Sequence, residues 1–307
     1  MTARERRQFF AGIGFTSLWI VGLGAFTAYP VLASLYYSFC DYSILKEPVW
    51  CGLENYQQLF SDDLFWLSLR NRLFYAGLSV PLGTVMSLSL ALLLNSDVRG
   101  KSFFRVVFYL PSIVPVVASS MLWLWILNGQ VGLLNWIIAP LLREFGATPP
   151  AWLVDPTWAK PALIIMSLWG TGNAMVIYLA GLQNVPRELY EAAELDGATG
   201  FRRFWHVTLP MLAPVIYFNV IMALIGSLQV FTQAFIMSAA AGGGTGTGTD
   251  GFPARSTLFY TMHLFATAFY DLRMGYASAM AYVLFVIIAV LTWIATRASR
   301  ERMSHVQ

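Results

Sequence analysis

Two groups of polar residues stand out in an otherwise apolar chain. The first is uncharged: Thr171 and Asn173, then Asn219, Ser227, Gln229 and Gln233, each inside a stretch long enough to cross a bilayer. Hydroxyls and amides in hydrocarbon need hydrogen-bond partners. Bonds between packed helices meet that need. So does a pathway of neutral donors and acceptors beside the rings of Trp169, Tyr178 and Phe231, a chemistry suited to hydroxyl-rich uncharged solutes. On that second reading the pathway residues are Thr171, Asn173, Ser227, Gln229 and Gln233. The other group is a charged island at 188–200, closed by the prolines of 208–214, between apolar runs at 161–182 and 211–237. It reads as a loop between two membrane helices, where a water-soluble partner would make contact. His206, His263 and His305 are too scattered to indicate a catalytic cluster, and no catalytic or metal site is predicted.

The elements that position these groups follow from composition. The chain has 307 residues, 57% hydrophobic and only 11% charged, with a mean hydropathy of +0.61. Soluble domains carry roughly a quarter charged residues. A polytopic membrane protein is the class that fits, and a net charge of +3 points to no nucleic-acid partner. Runs near 10–38, 73–95, 106–128, 161–182, 211–237 and 276–296 each approach the roughly 20 residues needed to span hydrocarbon, so the expected fold is all-α with six transmembrane helices. The first run is too long for a cleaved signal and is read as an uncleaved span. A shorter run at 131–142, interrupted by Pro140 and followed by Pro149 and Pro150, is expected to lie at the interface or to re-enter. A further interfacial helix is expected within 256–275.

Basic residues set the expected orientation. Arg4, Arg6 and Arg7, then Arg99, Lys101 and Arg105, then Arg187, Arg202 and Arg203, and finally Arg297, Arg300 and Arg302 all fall on one side. Both termini and the island are therefore expected in the cytoplasm. Cys40 and Cys51 fall outside, where a disulfide is permitted but unpaired thiols are the commoner outcome. The Gly-Thr run at 242–251 lacks the Lys-Ser/Thr ending of a phosphate cradle and reads as an external linker.

None of the six runs contains Asp, Glu, Lys or Arg. Proton- or ion-coupled carriers commonly place such groups in the membrane. Backbone and hydroxyl oxygens could still hold sodium, so a self-sufficient carrier stays open beside a chain whose energy arrives from elsewhere. The absence of a Walker-type loop assigns any nucleotide to a separate protein.

Within the island, Pro186 suits the first turn of a helix, Glu188 favours its positive end, and Gly197 can take the positive φ that ends it. A helix to about Leu195 is some 15 Å long, too short to be stable alone. It must pack on something. Ala192 and Ala193 permit close approach, and a second amphipathic turn over 200–206 offers Phe201, Phe204 and Trp205. A docking helix is one reading and a simple interfacial loop the other. Gly170, Gly172 and Gly181 in the run before it allow close helix approach or a local break.

Glu191-Ala192-Ala193, Asp196-Gly197-Ala198, Phe204 and Leu209-Pro210 resemble the EAA loop of binding-protein-dependent ABC importer permeases, at that family's internal spacing. Tyr29-Pro30 with 34–42, Gly52-Leu53-Glu54-Asn55-Tyr56, 110–115, Gly132-Leu133-Leu134-Asn135 and 276–279 resemble its carbohydrate-uptake branch, of the maltose or glycerol-phosphate permease kind. The resemblance implies a type I ABC importer permease fold with a cytoplasmic EAA coupling helix: residues 1–69 as tail, first helix and external loop, 70–297 as the permease domain, and 298–307 as a cytoplasmic tail. It also implies a second permease subunit, two cytoplasmic ATPase subunits that bind ATP and magnesium, and an external solute-binding protein. This chain itself would need no cofactor. ATPase coupling would fall to Glu191, Ala192, Ala193, Asp196, Gly197, Ala198, Phe204, Leu209 and Pro210. The implied cargo is a sugar or oligosaccharide, with a glycerol-phosphate ester as the alternative. Asn71-Arg72 departs from the family's usual Asn-Thr, and Arg72 is the near-membrane outer cation that a phosphate ester would want.

Overall fold

The computed structural model describes residues 2–96, 99–242 and 248–303. In chain order the helices are α1 (Ala3–Leu23), α2 (Tyr29–Tyr37), α3 (Glu54–Phe60), α4 (Asp63–Asn95), α5 (Lys101–Ile113), α6 (Val116–Ile126), α7 (Leu133–Glu144), α8 (Pro156–Trp169), α9 (Gly172–Gln183), α10 (Arg187–Leu195), α11 (Gly200–Arg203), α12 (Leu209–Gln229), α13 (Thr232–Ala241), α14 (Tyr260–Phe269) and α15 (Met274–Met303). Single π-helical turns at Gly24–Ala28 and Phe204–Thr208 join α1 to α2 and α11 to α12.

Four stretches cross a membrane by length and apolarity: Arg4–Tyr37, Asp63–Asn95, Gly200–Ala241 and Met274–Arg297. Two bent pairs, α5 with α6 at 102° and α8 with α9 at 47°, bring the number to six if each is one crossing. The runs at 106–128 and 161–182 are thus broken helices rather than straight ones. Pro115 opens α6 and leaves Val114 extended, at φ −65° and ψ 129°, because a residue before proline avoids the α region. Gly170 and Thr171 form the hinge of the second pair. The helix carrying the run at 73–95 begins ten residues earlier, at Asp63. An apolar run marks the part in lipid, whereas a helix continues as long as its neighbours pack against it.

The chain forms two compact units, Met1–Asp62 with Leu264–Val286 and Asp63–His263 with Ile287–Gln307. In the first, a hairpin of β1 (Cys40–Ser43) and β2 (Lys46–Trp50) departs from an all-α expectation. Its two-residue turn, Ile44-Leu45, has none of the Asn-Gly or Asp-Gly chemistry that marks hairpins in a sequence. Asn55 secures it by donating to the carbonyls of Ser38 and Cys40 at 3.0 and 2.9 Å. Both cysteines are free. Burial pushes the Cys51 thiol above its ordinary pKa.

In the second unit α7 runs through Pro140 rather than stopping there. Asn135 ties it down, donating to Gly129 and Pro150 and accepting from Trp152 Nε1 at 2.8 Å. Residues 243–247 of the Gly-Thr run, and the tail 304–307 with His305, lie outside the described residues. The end of that run is packed rather than linker-like: Thr249 is buried, and a β-carbon at Gly251, where φ is +67°, would stand 2.3 Å from the Leu258 amide nitrogen. Helix α9 is held close on both sides by glycine. A β-carbon at Gly172 would come within 2.5 Å of the Phe108 carbonyl oxygen, and one at Gly181 within 2.9 Å of a Leu212 methyl. Lipid offers helices little hydrophobic reason to associate, so such van der Waals closeness is what holds them.

Candidate functional site

A cavity of about 940 Å³ lies within the second unit, between α4, α5, α6, α8, α9, α12 and the start of α13. Helix α4 lines it with Tyr75, Ser79, Gly83, Thr84 and Ser87. Over 12 residues this face extends for about 18 Å. The opposing helices contribute Tyr109 and Ser112, Ser167 and Trp169, Thr171, Asn173 and Tyr178, Asn219 and Ser227, and Gln233. Among the described residues no charged side chain lines the cavity.

Five of the lining hydroxyls donate to backbone carbonyls three or four residues earlier. Ser87 donates to Gly83 O at 2.6 Å, Ser112 to Tyr109 O at 2.7 Å and Ser167 to Ile164 O at 2.7 Å. Thr171 and Ser227 do the same at 2.8 Å. Such back-bonding leaves oxygen lone pairs toward the cavity. A solute that donates hydrogen bonds from several hydroxyls finds acceptors here, with the Trp169, Tyr109 and Tyr178 rings as apolar faces between them. Two apolar clusters adjoin the cavity. Tyr75, Leu163 and Met166 belong to one that includes Trp123, Leu127, Trp152 and Phe259; Tyr178 belongs to another with Ala91, Met175, Leu182 and Leu212.

Of the sequence-derived pathway residues, Thr171, Asn173, Ser227 and Gln233 line this cavity. Gln229 does not: it is exposed on the far side of α12's last turn, since a residue two positions after Ser227 is turned about 200° away on a helix. Phe231 also falls elsewhere, stacked on Phe235 at 5.2 Å against the first apolar cluster. Sequence reasoning missed Ser79, Thr84, Ser87, Ser112 and Ser167. Their signal is the recurrence of small residues at 79, 83 and 87, one face of a helix, which is hard to read because serine is common in such helices.

The charged island forms a second candidate site. Pro186 precedes α10, and the helix ends as Gly197 reaches φ +73°. The Ala198 amide donates to Ala193 O at 2.9 Å and the Gly197 amide to Glu194 O at 3.0 Å, the paired bonds of a Schellman ending. Arg203 meets Glu194 at 3.3 Å. Tyr190 OH and Thr208 Oγ1 lie 3.1 Å apart, so α10 is bonded to the π-helical turn that leads into α12. Glu191, Ala192, Asp196 and Gly197 are exposed, while Ala193, Ala198, Phe204, Leu209 and Pro210 are partly covered. Leu195 is 90% and Phe201 73% exposed. Apolar side chains this bare beside charges, on an element clamped at its other face, make a surface ready for a protein partner. His206 is exposed, and its ring bonds Arg202 O at 3.0 Å. Among the described residues no group of three or more His, Cys, Asp or Glu side chains is arranged to hold a metal ion.

Residues 79–303, which include the island and all of the cavity lining but Tyr75, match the model for the inner membrane component of binding-protein-dependent transport systems. The chain belongs to that family. Its relatives include the probable ABC transporter permease protein YesP of Bacillus subtilis (strain 168), 39% identical over 96% of this chain and 92% of that one. The lactose transport system permease protein LacF of Rhizobium radiobacter is 35% identical over 91% of each chain. The trehalose/maltose permease protein MalF of Thermococcus litoralis is 34% identical over 90% of this chain and 89% of its own. In three dimensions the chain is similar to one in a bacterial alginate ABC transporter crystallised with its pentasaccharide-bound periplasmic protein. The TM-score is 0.81 at 22% identity, covering 98% of this chain and 97% of that one. The fold is therefore that of an ABC importer permease, and the chain is a membrane transport subunit.

Proposed function

We propose that this subunit moves a sugar or oligosaccharide across the cytoplasmic membrane as half of a permease pair, driven by separate ATPases. The observation that carries the cargo assignment is the uncharged cavity, a wall of hydroxyl and amide acceptors interleaved with aromatic rings. Relatives named for lactose, trehalose/maltose and sulfoquinovosyl glycerol support it. Residues 70–297 are the permease domain, and both termini and α10 face the cytoplasm, in keeping with the basic residues at those ends.

Energy enters through α10. Glu191 to Leu195 seat in a groove of an ATPase subunit that binds ATP and magnesium; this chain binds neither. When two ATPases close on ATP, α10 moves as a rigid body, because its glycine ending and the Tyr190–Thr208 contact fix it to α12. Helices α8, α9 and α12 then tilt and switch the cavity from one side of the membrane to the other. This is alternating access biased by a ligand that binds elsewhere in the complex. A solute-binding protein delivers the cargo from outside. To test the cargo, the complex is purified gently, its co-purifying binding protein identified, and that protein titrated calorimetrically with saccharides. Saccharide binding followed by ATP-dependent uptake is the expected result. Binding of amino acids or metal ions instead would overturn it.

A further inference from the structure

Arg72 occupies the same face of α4 as the cavity residues Tyr75, Ser79 and Ser87, one turn before Tyr75, and is fully buried. None of its three guanidinium nitrogens has a hydrogen-bond partner among the described residues. Its neighbours are rings: the guanidinium carbon is 4.9 Å from the Phe259 centroid and 5.8 Å from that of Tyr75. The adjacent Asn71 does not serve it: its amide oxygen takes a bond from Lys160 Nζ at 3.1 Å, and its amide nitrogen donates to Arg255 O and Leu258 O.

Ring faces recover part of a guanidinium's lost hydration, and an anion recovers more. A partner subunit cannot supply that anion in this conformation, since Arg72 has no exposed surface. An anion can therefore reach Arg72 only when its neighbours move, and one of these, Tyr75, lines the cavity. We propose that Arg72 is a specificity-determining residue whose ligand is the carboxylate of an acidic saccharide, held by its remaining hydroxyls against the neutral wall of the cavity. Arg72 would then add one charged partner beside a lining that is otherwise neutral. The assignment rests on the carbohydrate reading and narrows it to sugars that carry a uronic acid.

The test uses the complete transporter with its binding protein in proteoliposomes. The probes are uronic-acid di- and trisaccharides, each paired with its carboxyl-reduced, neutral counterpart. Transport of at least one acidic member is expected. In Arg72→Gln the acidic-to-neutral ratio of kcat/KM should fall by about tenfold or more, the worth of a lost charge-assisted bond, and Arg72→Lys should keep most of it. Because the ratio is taken within one variant, poor yield of that variant does not mimic the effect. Where the acidic member alone is carried, its own kcat/KM per assembled transporter replaces the ratio, and Arg72→Lys controls for folding. Uptake of neutral saccharides alone, or a ratio unchanged in Arg72→Gln, overturns the assignment and leaves the carbohydrate reading intact. Uptake of none of these probes by a complex that still hydrolyses ATP removes both.

Discussion

At Asn173 the cavity can be tested with one atom's worth of chemistry. Its side chain reaches the lining, 3.5 Å from Ser112 Oγ, in a wall without charge. Asn173→Asp keeps the volume and adds an ion that the site is not built to pair, so uptake should fall by about tenfold or more. Gln229→Glu, exposed outside the cavity, should change uptake far less; equal losses in the two variants would contradict the cavity assignment. Glycine gives a packing test at the same scale. Gly172→Ala drives a β-carbon into backbone and should cost about 1–3 kcal/mol, whereas at Gly181→Ala a leucine methyl can move aside and the cost should stay below about 1 kcal/mol. Thermal unfolding of the detergent-solubilised protein reads both. The residue types at these positions were visible in the sequence, but their directions were not. Thr171, Asn173, Ser227 and Gln233 point inward and Gln229 outward, a difference set by helix phase around hinges at Gly170 and Val230 that no apolar count reveals.

Helix α10 shows what a short element needs in order to hold its shape. It is nine residues long, below the length at which helices persist alone, so its order comes from its ends and its clamp. Tyr190→Phe removes the bond to Thr208, worth about 0.5–1.5 kcal/mol, and should lower the sugar moved per ATP hydrolysed more than it lowers thermal stability. An unchanged stoichiometry would remove Tyr190 from the coupling path. The hairpin offers another check. Cys40 and Cys51 should both react with a thiol reagent after unfolding without reductant, Cys51 slowly beforehand because its raised pKa keeps it protonated at neutral pH. A chain with no titratable thiol would contradict the free pair. The boundaries of α10 were readable because Pro186, Glu188 and Gly197 act locally. The breaks have local causes too, Pro115 in α5–α6 and Gly170 in α8–α9, a break being one of the two uses the sequence allows that glycine. The β hairpin and the early start of α4 were not legible, because the hairpin's turn lacks hairpin chemistry and an apolar run marks only the part in lipid.

For the whole molecule, the reading of apolar runs without ionisable groups needs one refinement. Arg72 lies one residue outside the run at 73–95 yet is buried within the helix that bears it, so a lining without charge does not mean a core without charge. The two sites are covalently continuous, α10 through α11 and the π-helical turn to α12, and α12 also forms part of the cavity wall. Cargo and drive are therefore separable by mutation. Gly197→Pro places a ring with φ near −65° where the chain needs +73°, and Glu191→Lys reverses a charge on the exposed docking face. The decisive measurement is ATP-driven saccharide accumulation in proteoliposomes holding the complete complex, with ATP hydrolysis followed in the same samples. Both variants should assemble and hydrolyse ATP while accumulating little saccharide; normal accumulation in both, or transport by this chain without its ATPases, would contradict the coupling role of α10.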